Sequence, residues 1–65
     1  IKPDPRIFQL LLQKVARPVE ECLLIDDSPV NIAAAQALGF QTILFHNPEQ
    51  LAVELVSRGL LKIEA

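Results

Sequence analysis

Sixty-five residues permit one small folding unit, and 51% of them are hydrophobic, an excess that calls for apolar surfaces packed against further protein. The net charge of −2 carries no basic block or stripe, which argues against nucleic acid or an anionic membrane surface as a partner. The apolar runs fall far short of the roughly 20 residues that span a bilayer, and a single cysteine, Cys22, suits a reducing, cytoplasmic setting.

The first helix is predicted to open at Asp4-Pro5, which pairs an N-cap oxygen with a proline at the first helical position. Ile7, Leu10, Leu11 and Val15 fall on one stripe, widened by Phe8 and Leu12, and these leucines are expected in the core. The helix should end near Ala16, because Pro18 restricts the residue before it. Residues 22–25 are short, apolar and suited to a buried strand, with Cys22 as a small buried hydrophobe. Ser28-Pro29 repeats the start signal for a second helix, whose Ala33, Ala34, Ala35 and Ala37 allow close approach to a sheet. Gly39 ends it, and residues 42–45 form a second strand. Asn47-Pro48 opens a third helix that buries Leu51, Leu55 and either Ala52 or Val56, and Gly59 closes it.

The order α-β-α-β-α predicts an α/β fold with a parallel sheet and right-handed crossovers, the C-terminal part of a doubly wound Rossmann-like sheet. Two parallel strands need neighbours, and open strand edges invite association. An isolated chain of this kind is expected to be partly unfolded or oligomeric, and inactive, until its missing N-terminal half is supplied.

In open α/β sheets, ligands sit beyond the carboxyl ends of the strands. The first predicted strand runs straight into Asp26-Asp27. Two adjacent carboxylates there are costly without a counter-charge, and a hard divalent cation such as Mg²⁺ is the natural one. The plainer alternative is that Asp26 caps the helix or faces solvent.

Ile1-Lys2-Pro3-Asp4-Pro5-Arg6-Ile7-Phe8, followed about twenty residues later by Leu24-Ile25-Asp26-Asp27-Ser28-Pro29-Val30-Asn31 and then Ala34 and Leu38-Gly39, resembles the C-terminal half of the haloacid dehalogenase superfamily. The likeness is greatest to the branch with a helical cap inserted early, which includes many small-molecule phosphatases. It implies that residues 1–65 are an incomplete core domain, lacking an N-terminal strand and the cap. It also implies roles. Lys2 matches the lysine that contacts the phosphate and a nucleophilic aspartate, as a compact charge offsetting both. Asp27 matches the acid that binds Mg²⁺, and Asp26 is its partner at one remove. Asn31 stands where relatives often carry a further acid; it reads as an orienting hydrogen-bond group or a structural helix-turn residue. Ser28 reads as an N-cap before a phosphate ligand, Asp4 as a helix cap, and His46 as a loop residue near the same rim.

The resemblance further implies phosphate-monoester hydrolysis of a small phosphorylated metabolite through an aspartyl-phosphate. Its nucleophile, in an Asp-x-Asp motif, has no counterpart in these residues. A catalytically silent relative used for binding or regulation is the first alternative. A receiver-like signalling domain is the second, although a receiver's paired acids precede its lysine.

Overall fold

The computed structural model describes residues 5–62, so the predicted Asp4 cap lies outside the described residues. Its elements are α1 (Pro5–Val15), a 3₁₀ turn (Val19–Glu21), β1 (Leu23–Asp26), α2 (Pro29–Ala37), β2 (Gln41–Leu44) and α3 (Pro48–Ser57). The alternating order matches the sequence expectation, with the 3₁₀ turn as an addition. β1 and β2 pair in parallel, Leu23 opposite Gln41 through Asp26 opposite Leu44.

Both strands lie one residue from their expected positions, and the ladder explains why. Gln41 N–H donates to the Cys22 carbonyl at 3.0 Å, which opens the ladder at Gln41, and Phe45 N–H donates to the Asp26 carbonyl at 2.7 Å, which draws Asp26 into β1. Apolar character alone marks neither limit. Cys22 precedes the strand, is half-buried, and sends its thiol to the Pro18 carbonyl at 3.5 Å.

The helix ends follow their residue chemistry. Ser28 Oγ accepts from Asn31 N–H, and Asn47 Oδ1 accepts from Gln50 N–H, so both polar residues before a proline cap their helices. At the far ends, Gly39 and Gly59 adopt φ of 96° and 74°. Each completes a pair of bonds back to its helix: Gly39 to Gln36 with Phe40 to Ala35, and Gly59 to Val56 with Leu60 to Leu55. At Gly39 a side chain would also meet Val19, whose Cγ1 lies 3.1 Å from an ideal Cβ position. α1 ends differently. Ala16 takes φ 57° and donates to the Leu12 carbonyl, a left-handed cap built without glycine.

Among the described residues the buried core is small: Phe8, Ile32, Ala35 and Ile43. The Phe8 and Phe40 rings meet edge to face, with centroids 5.6 Å apart. Here the expected stripe of α1 needs correction. Ile7, Leu10, Leu11 and Val15 are about half exposed, and only the Phe8–Leu12 flank turns inward. α1 packs on α2, and the rest of the stripe stays about half exposed. In α3, Leu51, Ala52 and Leu55 are half-buried and Val56 is exposed, which resolves the alternative in favour of Ala52.

The helix region after β2 engages the outer side of that strand. Because Gln41 and Phe45 donate to β1, the carbonyls of Thr42 and Leu44 point to the outer side of β2. Both are met by side chains of α3 and of its C-cap residue. Arg58 Nη2 donates to the Thr42 carbonyl at 3.1 Å, and Gln50 Nε2 donates to the Leu44 carbonyl at 3.1 Å. An edge whose acceptors are already engaged is a poor template for another strand.

Ile43 is 1% exposed and is the largest fully buried side chain. Ile43→Ala is expected to destabilise the fold by about 2–5 kcal/mol, since the void is flanked by sheet and helix that cannot both collapse. Urea denaturation measures this directly; an unchanged midpoint would contradict the packing.

Candidate functional site

The site is built where β1 hands over to α2. Asp26 is the last residue of β1 and is half-buried. Its Oδ1 accepts from Ser28 N–H at 2.8 Å, and its Oδ2 accepts from the Asn31 side-chain amide at 3.2 Å. Ser28 in turn accepts from Asn31 N–H at 3.3 Å. Asp26, Ser28 and Asn31 thus form one closed turn that fixes the entry to the helix. Ser28 Oγ thus serves as the cap acceptor, and the Asn31 amide donates to the Asp26 carboxylate.

The same contacts set the charge of Asp26. The Ser28 N–H holds its carboxyl below the ordinary value of 3.8, the Asn31 amide acts in the same direction, partial desolvation opposes them, and Asp27 adds smaller lowering contributions. A lowered folded-state value means that the ionised group supports folding above the ordinary value, and that this support is lost as pH falls through the lowered one. Asn31→Ala should therefore raise the Asp26 titration midpoint in the metal-free protein, followed by NMR of the carboxyl carbon. An unmoved midpoint would remove Asn31 from that role.

With both Asp26 oxygens engaged, the exposed acid at the rim is Asp27. The adjoining strand end is tied to it through the backbone, since Phe45 N–H reaches the Asp26 carbonyl. His46 follows on the same loop and is exposed. Lys2 lies outside the described residues. Among the described residues no three His, Cys, Asp or Glu side chains gather closely enough to hold a metal by themselves. The exposed Asp27 carboxylate, beside Asp26 at a strand end, nevertheless fits Mg²⁺, which is commonly held by one or two carboxylates together with water and substrate phosphate.

Residues 1–39 match the haloacid dehalogenase-like hydrolase family, a stretch that includes Lys2, Asp26, Asp27, Ser28 and Asn31. The chain belongs to that family. Similar proteins include acyl-CoA dehydrogenase family member 10 of Mus musculus, 44% identical over 54 residues that cover 83% of this chain and 5% of the relative. Bifunctional epoxide hydrolase 2 of Mus musculus is 36% identical over 55 residues, covering 85% of this chain and 10% of the relative. Flavin mononucleotide hydrolase 1 of Arabidopsis thaliana is 30% identical over 59 residues, covering 91% and 24%. The chain thus spans 5–24% of the length of these relatives. Among the described residues, no helix is long and apolar enough to cross a membrane.

Proposed function

We propose that this chain is the C-terminal portion of a doubly wound core domain in an Mg²⁺-dependent phosphate-monoester hydrolase, and that it supplies the lysine and the metal-binding acids. The observation that carries the reading is the Asp26-Asp27 pair at the end of β1, in which Asp26 is held by Ser28 and Asn31 while Asp27 is exposed. Family membership supports hydrolytic chemistry, and one relative bears the name of a hydrolase of flavin mononucleotide, itself a phosphate monoester.

In this reading Asp27 holds Mg²⁺, which supplies charge neutralisation at the phosphate when bound. Asp26 keeps the Asp27 peptide in place through its turn. Lys2 offsets charge on the phosphate and on a nucleophilic aspartate contributed by the missing N-terminal half, with an aspartyl-phosphate as the intermediate. An early helical cap, also outside these residues, selects a small phosphorylated metabolite. A cytoplasmic setting accords with the single cysteine.

A second reading has its own support. One similar protein is named as an acyl-CoA dehydrogenase family member, a name that points to other chemistry. Under that reading the chain belongs to a catalytically silent module. The test is turnover of an aryl phosphate by the full-length protein with and without Mg²⁺, wild type against Asp27→Asn. Mg²⁺-dependent turnover that the substitution abolishes supports the hydrolase; no turnover in the wild type supports the silent module.

A further inference from the structure

Resting on the reading of Asp27 as the metal-binding acid, the geometry points to Gln50 of α3 as a positioning residue for the metal site, acting through the end of the neighbouring strand. The Gln50 side chain makes two backbone contacts that flank one residue. Its Nε2 donates to the Leu44 carbonyl at 3.1 Å, and its Oε1 accepts from His46 N–H at 3.0 Å. Between them stands Phe45, whose N–H donates to the Asp26 carbonyl at 2.7 Å. That carbonyl belongs to the planar peptide that leads into Asp27. Fixing it fixes where Asp27 begins.

The residue type follows from the task. One planar amide offers a donor and an acceptor together, which is what a carbonyl at 44 and an N–H at 46 require. Gln50 is itself held at both ends: its own N–H donates to the Asn47 cap at 2.7 Å, and its Nε2 also meets Glu54 Oε2. Glu54 pairs with Arg58 at 3.8 Å, and Arg58 anchors the beginning of β2 through Thr42. Arg58 and Gln50 therefore clasp the same strand at two places, and only Gln50 lies at the rim of the site. This difference separates a positioning role from a purely structural one.

Two variants of the full-length protein test it. Gln50→Met keeps the side chain's length and loses both backbone contacts, and Arg58→Met releases the far end of the clasp. In the metal-free protein, Gln50→Met should speed hydrogen exchange at the Phe45 amide. Its Mg²⁺ affinity, measured by calorimetry, should fall about tenfold, the range for residues that act on a ligand at one remove. The KM for an aryl phosphate at saturating Mg²⁺ should hold. Arg58→Met should leave Phe45 exchange and Mg²⁺ affinity near wild type. Should Gln50→Met fail to fold, Gln50→Glu, which keeps the acceptor for His46 N–H, should show the same two shifts. Unchanged Phe45 exchange and Mg²⁺ affinity in a folded Gln50 variant would overturn the role, as would equal losses in the Arg58 variant. Asp27→Asn keeps the two readings apart. Full Mg²⁺ affinity in that variant sinks the metal-site reading itself, whereas its loss beside an unaffected Gln50→Met sinks only the Gln50 assignment.

Discussion

Asp27→Asn should abolish most Mg²⁺-dependent turnover in the full-length protein, with a loss beyond the roughly 10–100-fold typical of residues that only support a ligand. The reasoning starts from the two carboxylates at the end of β1. Asp26 has one oxygen on Ser28 N–H and the other on the Asn31 amide, whereas Asp27 is exposed. On the proposed reading, substituting the exposed acid removes a charged oxygen ligand and keeps the Ser28 and Asn31 contacts of Asp26. Asp26→Asn is different in kind. It keeps an oxygen for Ser28 N–H but loses the charge, and an amide on the other side would face the Asn31 donor. Its effect on turnover should be milder and should come with a lower thermal midpoint. Steady-state kinetics across Mg²⁺ concentrations, beside a thermal melt of each variant, separates the two. Wild-type activity in the Asp27 variant would take that residue out of the site.

Lys2→Ala carries the second large effect, a fall in kcat on the order of 10²–10³, as when one preorganised charge-stabilising donor is removed. The expectation rests on the match of Lys2-Pro3-Asp4-Pro5 to the family's lysine motif, within the stretch that places the chain in that family. In the proposed role lysine acts as a compact point charge between phosphate and carboxylate, so Lys2→Arg, whose charge is spread over a planar fork, should restore little. Because Lys2 precedes the first helix, the thermal transition should move little. Normal kinetics, or a variant that fails to fold, would contradict the assignment.

Much of the architecture was legible because it is encoded by local contacts. Ser28 and Asn47 before prolines, and Gly39 and Gly59 after apolar periods, act over three to five residues, and the observed caps use those same side chains and conformations. The end of α1 was legible only in place. Pro18 located it, but nothing in the sequence signalled that Ala16 would take the left-handed conformation. The Asp26-Asp27 pair was legible as a candidate site because charge at the end of an apolar strand is unusual enough to stand out. Gln50 was not, although Asn47 and Gln50 have the three-residue spacing of a capping box, a signal that could have drawn attention to it. In that pattern the glutamine reaches back to the cap residue. Here it reaches one residue further, to His46, and across to Leu44.

By itself the sequence determined the element order, the helix boundaries to within a residue, and the adjacency of Asp26, Asp27, Ser28 and Asn31, since all of these depend on neighbours in the chain. Tertiary structure decided which flank of α1 is buried, because a broad apolar helix face is compatible with several rotations and only the contact of Phe8 with Phe40 selects one. It also decided the strand register, since an apolar run carries no mark of which carbonyl meets which N–H across the sheet. And it decided that the outer acceptors of β2 are met by Gln50 and Arg58 of the helix region that follows, a pairing between residues 6 and 16 positions apart that no local pattern specifies.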